Sequence, residues 1–226
     1  MAGLSLHAFL KGRDSQLALS MLGPPSGRLL DIGSGGGEDL RVLLQGGWQA
    51  IGLDPFHEVH RVPWVRGNAE QLPFRDRTFA AVTCILLLPH LRRPDRAAAE
   101  VYRVLRTDGR ALFVVFSKSP LNLKGALRRD GYVLDGMALP YTLFSKRELE
   151  SLLQSAGFVP VVWTRTDFLP ILTGWLGHEA QGRILAWLDS ADHGLTHSPL
   201  RRFARKLVVA AKRASPIASH GPPRGV

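Results

Sequence analysis

A chain of 226 residues, 45% hydrophobic and 21% charged, holds one sizeable α/β core and is short for two. Its single cysteine, Cys84, excludes an intrachain disulfide framework and a cysteine-built zinc site, and no metal site is expected. No apolar run approaches the roughly 18–20 residues that cross a bilayer, and Met1–His7 lacks a basic region leading into an apolar core, so a cytoplasmic location is the expectation. The net charge of +10 admits nucleic acid or an anionic membrane surface as partner, but the arginines come as scattered pairs, and solvated basic faces are the simpler account.

In chain order, Leu4–Leu22 places Leu6, Phe9, Leu10, Leu17, Leu19 and Leu22 at helical spacing and reads as a helix that covers the domain, ended by Gly23-Pro24-Pro25-Ser26-Gly27. Arg28–Ile32 is the first strand. It runs into Gly33-Ser34-Gly35-Gly36-Gly37, and a helix follows from Glu38 to the glycine stop at Gly46-Gly47. Glycines let a turn approach a ligand, and the helix behind it points unpaired N–H groups back at the turn. Alone, this reads equally as an ordinary strand-to-helix loop.

A second strand, Trp48–Leu53, ends in Asp54-Pro55, about twenty residues after the first glycine. That is the spacing of a nucleotide-binding half-fold, in which a carboxylate at the strand end accepts hydrogen bonds from a ribose diol. The competing role for Asp54 is a turn acid before proline. His57 and His60 read as surface histidines. Trp64-Val65 is a short third strand, Ala80–Ile85 a buried fourth, Pro94–Leu105 a helix, Thr107-Asp108-Gly109 a turn and Ala111–Phe116 a fifth strand. Strands alternating with helices predict a parallel sheet with helices on both faces and a ligand crevice beyond the strands' carboxyl ends.

Farther on, Ser117–Leu143 has no clean period and reads as a substrate lid (118–143) or a connector. Ser145–Ser155 is a helix with a capping box, Ser145 and Glu148. Phe158–Thr166 is the sixth strand and Lys206–Lys212 the last. Between them, 167–205 reads as a helical insertion: extra core cover, an apolar wall for a bulky acceptor, or, with Arg201, Arg202, Arg205 and Lys206, a peripheral membrane contact. The domain expected is 1–214, with 1–26 as helical cover and 215–226 as a flexible tail.

Five blocks in this order resemble the class I S-adenosylmethionine-dependent methyltransferases of the small-molecule and lipid type: Leu30–Gly37, Ile51–Asp54, Gly67–Phe74, Glu100–Arg110, and Phe144–Leu149 with Ala156-Gly157-Phe158. The resemblance implies a Rossmann-like seven-stranded, mostly parallel sheet whose last strand is antiparallel. It implies S-adenosyl-L-methionine as cofactor and S-adenosyl-L-homocysteine as product. Asp31, Gly33, Ser34 and Gly35 would hold the methionine end, with Gly37 closing the turn. Asp54, with Pro55 behind it, would take the ribose. Asn68 and Ala69 would face the adenine edge with Glu70 nearby, Asn68 standing where the family often has Asp. Cys84 and Ile85 would offer backbone carbonyls to the cofactor's amino group. A dinucleotide-dependent oxidoreductase needs glycine or alanine at position 38, where this chain has Glu38.

His90, just beyond the fourth strand, and Tyr141, in the lid, are the candidate catalytic side chains; the competing role for His90 is packing at a helix start. Cys84 lies inside an apolar strand, where a thiol is inert. The expected function is methyl transfer to a small, apolar or lipid-like acceptor. The alternatives are an RNA methyltransferase, motivated by charge, and a cofactor-binding accessory protein without methylation activity.

Overall fold

The computed structural model describes residues 6–57, 61–120, 122, 132–134, 137–166, 198 and 202–213. Most of the proposed insertion at 167–205, much of the proposed lid and the tail at 215–226 lie outside the described residues. The elements are α1 (Leu6–Leu22), β1 (Arg28–Ile32), α2 (Glu38–Gln45), β2 (Gln49–Asp54), β3 (Trp64–Arg66), β4 (Phe79–Ile85), a single 3₁₀ turn (Leu88–His90), α3 (Pro94–Val104), β5 (Leu105–Phe116), β6 (Tyr132–Leu134), β7 (Met137–Leu139), α4 (Lys146–Ser155), β8 (Phe158–Thr166) and β9 (Lys206–Arg213).

Seven strands form one sheet in the order β3-β2-β1-β4-β5-β9-β8; counting only these seven, this is 3-2-1-4-5-7-6. β1 to β5 pair in parallel, and β9 runs antiparallel to both β5 and β8. The expected α/β architecture with an antiparallel last strand is therefore the one observed. Its central strands are buried on both faces, which is why they read as near-continuous apolar runs instead of alternating ones. On β1, Leu30 and Ile32 join Val101, Leu149 and Leu153 of α3 and α4, while Leu29 turns to Leu22, Leu40 and Leu43 of α1 and α2. β5 divides the same way, with Phe113 and Val115 on one face and Leu112 and Val114 on the other.

Two elements differ from the reading of the sequence. Thr107-Asp108-Gly109 belongs to β5 instead of to a free turn: Leu105 pairs with Phe79 and Arg110 with Ala81, so the strand bulges between two paired residues and α3 stops at Val104. The stretch read as irregular carries a two-stranded antiparallel pair, Tyr132–Leu134 with Met137–Leu139. These short apolar runs flank Asp135-Gly136, the kind of dipeptide that favours hairpins. The capping box of α4 is present, with Ser145 and Glu148 each accepting the other's backbone N–H.

The first helix and the last strand meet at the carboxyl edge of the sheet. Because β9 is antiparallel, its first residue, Lys206, pairs with Phe116 at the end of β5. The Lys206 ammonium meets the Asp14 carboxylate of α1 at 2.6 Å, with both side chains buried. One residue on, the Ser15 hydroxyl donates to Asp39 in the first turn of α2, directly behind the glycine turn. Breaking a buried ion pair by removing one member costs about 3–5 kcal/mol. Asp14→Ala should therefore lower stability by about that amount, read from the urea midpoint; a shift under about 1 kcal/mol, the size expected of an exposed pair, would show that α1 is not held this way.

Candidate functional site

The glycine turn is shaped by the end of the neighbouring strand. The N–H groups of Gly33 and Ser34 both donate to the Leu53 carbonyl, at 2.7 and 3.2 Å, and the Gly35 N–H donates to Asp54 Oδ2 at 3.0 Å. Gly33 and Gly35 have φ values of 76° and 50°, the left-handed region that L side chains rarely adopt. A Cβ on Gly33 would stand 2.9 Å from Leu87 Cδ1, whereas one on Gly35 would meet nothing within 4 Å. The turn is thus closed over Gly33 and open over Gly35. Gly37 ends it, donating to the Ser34 carbonyl at 2.8 Å and preceding α2.

Asp54 is buried and held from several sides. Oδ1 accepts the N–H groups of Phe56 and His57, each at 2.9 Å, and lies 3.2 Å from His57 Nδ1. Oδ2 takes one contact among the described residues, the Gly35 N–H, and a carboxylate oxygen has room for a second. His57, read from sequence as a surface residue, therefore touches the site. Its signal was the three-residue spacing from Asp54. Pro55 is exposed beyond the strand end.

Asp31 is buried and accepts the Thr83 hydroxyl at 2.7 Å. Burial, reinforced by the Asp31 carboxylate, pushes the Cys84 thiol far above its ordinary range, so it stays protonated. Ile85 closes β4, and the next residue, Leu86, has φ 55°. That left-handed step in a bulky residue is strained, and it sits where Leu87 comes down on Gly33. The Ser34 hydroxyl points away from the open side of the turn. It is packed under it at 2.7 Å from where a Cβ of Gly52 would be, buried and without a hydrogen-bond partner. Ser34 thus shapes the turn through its backbone.

Asn68 Oδ1 accepts the Glu70 N–H at 2.9 Å, and the Asn68 carbonyl accepts from Gln71. Ala69 is buried beneath this loop. Glu70 Oε1 in turn accepts the Arg93 N–H at 3.2 Å, just before α3. The loop starts beside Asp54, whose carbonyl accepts the Gly67 N–H at 3.3 Å.

The two candidate catalytic residues are brought together. His90 Nδ1 is 3.0 Å from the Pro140 carbonyl, and the Thr142 N–H donates to the Pro89 carbonyl at 2.9 Å, which docks 140–142 onto the 3₁₀ turn. The rings of His90 and Tyr141 are 5.9 Å apart, and both lie against Phe116, at 6.5 and 5.2 Å. A carbonyl only accepts, so the neutral imidazole carries its proton on Nδ1 and its lone pair on Nε2. Burial lowers the His90 pKa, against an opposing contribution from the Pro140 bond. Burial raises that of Tyr141, partly offset by the Arg205 charge. Phe116 and Leu87 had no signal in the sequence beyond being apolar.

The cradle therefore offers an open glycine turn, a fixed carboxylate at the end of β2 and a second carboxylate, Asp31, below it. These acceptor groups fit a ribose diol and an ammonium-bearing tail, and they would repel a diphosphate. Among the described residues no three His, Cys, Asp or Glu side chains are grouped to hold a metal ion, and no helix is long and apolar enough to cross a membrane.

The chain belongs to the family described as methyltransferase domain, which matches residues 7–162. Its seven-stranded sheet has the Rossmann-like fold of that class. It is 30% identical over 153 residues to a malonyl-acyl-carrier-protein O-methyltransferase of Methylococcus capsulatus, a match covering 62% of this chain and 54% of that protein. It is 27% identical over 181 residues to a ubiquinone/menaquinone biosynthesis C-methyltransferase of Agrobacterium fabrum, covering 65% and 70%. The chain thus spans about half of the first relative and about two thirds of the second. Among solved structures it is similar to a 1,6-didemethyltoxoflavin N1-methyltransferase of Burkholderia thailandensis with bound S-adenosylhomocysteine (TM-score 0.61, 21% identity, 91% of this chain and 79% of that one). It is likewise similar to a geranyl diphosphate methyltransferase in complex with S-adenosylmethionine (TM-score 0.61, 18% identity, 90% and 85%). At these identities the structures show the fold.

The lowered pKa of His90 carries a sign. A histidine that resists protonation when folded binds fewer protons than the unfolded chain, so its contribution is fully present above the unfolded pKa of 6.5 and is lost as pH falls below it. An NMR titration should place the His90 midpoint below 6.5, and His90→Gln should flatten the acid limb of the stability profile. A midpoint above 6.5 would contradict the burial of the His90 ring.

Proposed function

We propose that this chain transfers a methyl group from S-adenosylmethionine to an oxygen, nitrogen or carbon atom of a small, apolar or lipid-like acceptor by in-line displacement. The observation that carries the reading is the packing of His90, Phe116 and Tyr141 at the carboxyl ends of β4 and β5. It lies a few residues from Leu87, whose side chain covers Gly33. An aromatic and aliphatic wall beside the cofactor turn suits an apolar acceptor and keeps water out of a displacement. The relatives' names support a small acceptor or acyl group: one is a biosynthetic quinone C-methyltransferase, the other acts on a malonyl group on a carrier protein.

Gly33, Ser34, Gly35 and Gly37 shape the cradle, with Asp31 beneath it for the methionine end. Asp54 Oδ2 accepts a ribose hydroxyl. Asn68, Ala69 and Glu70 form the adenine side, and the Cys84 and Ile85 carbonyls face the amino group. When bound there, S-adenosylmethionine supplies the electrophilic methyl of a sulfonium. His90, neutral and with its lone pair on Nε2, takes a proton from acceptors that must lose one. Tyr141, kept protonated by its burial, donates a hydrogen bond and does not act as a base.

Calorimetry with S-adenosylhomocysteine tests the cradle. The wild type should bind, and Asp54→Ala should weaken binding by at least about tenfold, the loss expected for a hydrogen bond to a charged group, with unchanged circular dichroism. No binding by the wild type, or an unaffected variant, would overturn the assignment. Release of S-adenosylhomocysteine from S-adenosylmethionine across a panel of phenols, quinols and acyl acids then tests transfer; tight cofactor binding without turnover on any of them would favour the accessory-protein reading.

A further inference from the structure

The loop that follows β3 has no regular structure of its own, yet it is bound along its length to one face of α3. The Leu72 N–H donates to Glu100 Oε2 at 2.7 Å. Arg103 donates from Nη2 to the Leu72 carbonyl at 3.0 Å, and from Nη1 to the Phe74 carbonyl at 2.8 Å and to Asp76 Oδ1 at 2.7 Å. The two α3 side chains are themselves joined, Arg103 Nε and Nη2 reaching the two Glu100 oxygens at 2.7 and 2.8 Å. The fork is thus bidentate to a carboxylate while its remaining N–H groups hold two backbone carbonyls, a pattern the planar guanidinium makes and a lysine does not. The third tie is the Glu70 carboxylate on the Arg93 N–H, three residues after His90.

Most exposed ion pairs contribute little. This one differs because its partners are backbone groups of a loop, at a place where Ala69 and Leu72 are buried. The Arg103 bonds hold the Glu100 carboxyl below the usual carboxylate range, so it stays ionised and accepting at neutral pH. The sequence contained both residues three apart, on one face of a helix, but nothing in that spacing says what they hold.

We propose that Glu100 and Arg103 are positioning residues for adenine selectivity: they fix the path of residues 68–76, and through it the edge that Asn68, Ala69 and Glu70 present to the cofactor's base. The inference rests on the reading, given above, that this loop forms the adenine side of the site. Glu100 and Arg103 do not touch the cofactor; they act through Leu72 and Phe74. Asn68 contributes its amide N–H₂ to the base, its Oδ1 being turned to the Glu70 N–H.

The test compares two ligands that differ at the base alone, S-adenosylhomocysteine and its deaminated analogue S-inosylhomocysteine, whose purine edge has the donor and acceptor exchanged. Calorimetry on the full chain should show the wild type preferring the adenine compound by about tenfold or more, the worth of one well-made hydrogen bond. In Arg103→Ala and in the isosteric Glu100→Gln the preference should fall toward unity, and Arg103→Lys should not restore it. A residue that only stabilised the fold would lower the melting temperature and weaken both ligands alike. An unchanged preference in folded Glu100→Gln and Arg103→Lys proteins therefore overturns the proposal. Should the wild type itself fail to distinguish the two ligands, the adenine role of residues 68–70 falls, and the proposal with it.

Discussion

Three consecutive N–H groups of the glycine turn, those of Gly33, Ser34 and Gly35, are taken up by the last two residues of β2, two by the Leu53 carbonyl and one by the Asp54 carboxylate. The pairing of Asp31 with Gly52 and of Ile32 with Leu53 makes this possible, because it leaves the end of β2 level with the start of the turn. Gly52 matters for the same reason. A Cβ at residue 52 would stand 2.7 Å from the Ser34 hydroxyl and 2.8 Å from Leu40 Cδ2, so a larger residue would force these side chains beneath the turn to shift. The cradle is therefore a property of two adjacent parallel strands, and the helix behind it completes what they begin. Asp54 holds the turn with one oxygen and the following residues with the other, so it is fixed before any ligand arrives, which is the condition for a hydrogen-bonding group to select its partner cheaply.

The side proposed for the acceptor depends on a different constraint, the reversed direction of β9. Antiparallel pairing carries Ala204, Arg205 and Lys206 to the end of the sheet where β4 and β5 finish. The Arg205 carbonyl accepts the Ser117 N–H at 2.8 Å and the Asn122 side chain at 2.7 Å, and Arg205 Nε returns a bond to Asn122 Oδ1 at 3.0 Å. This partly buried polar knot closes the sheet beside Phe116, against which Tyr141 and His90 rest. Lys206 adds the contact to Asp14, so the helix that opens the chain and the strand that ends the sheet meet at one edge of the site.

Part of the basic excess has structural work. Arg110 donates to the Leu22 carbonyl at the end of α1, and Arg213 donates to the Tyr102 and Leu105 carbonyls at the end of α3 while stacking on Tyr102. Cations at helix C-termini satisfy orphan carbonyls and oppose the macrodipole. With Arg103 bound to the loop after β3, these arginines serve the fold, and net charge is to that extent a weaker argument for a polyanionic partner.

By itself the sequence determined the strand and helix order, the glycine turn and the carboxylate at the end of the second strand. Those features are local: apolar period, turn residues and spacing along the chain follow from backbone physics over a few residues. The same holds for the α4 capping box. Only the tertiary structure decided which groups share a space. That the Ser34 hydroxyl lies beneath the turn and that Leu87 covers Gly33 depend on strand register and on a left-handed step at Leu86, which no periodicity reveals. The meeting of His90 with Tyr141 and Phe116 joins residues about fifty and twenty-five apart through the ends of neighbouring strands and a docked loop. Glu100 and Arg103 were visible as a pair on a helix, but that they bind a loop some thirty residues earlier was not. Contacts between groups so far apart in the chain are set by how the sheet packs its helices, a global outcome that local residue patterns do not encode.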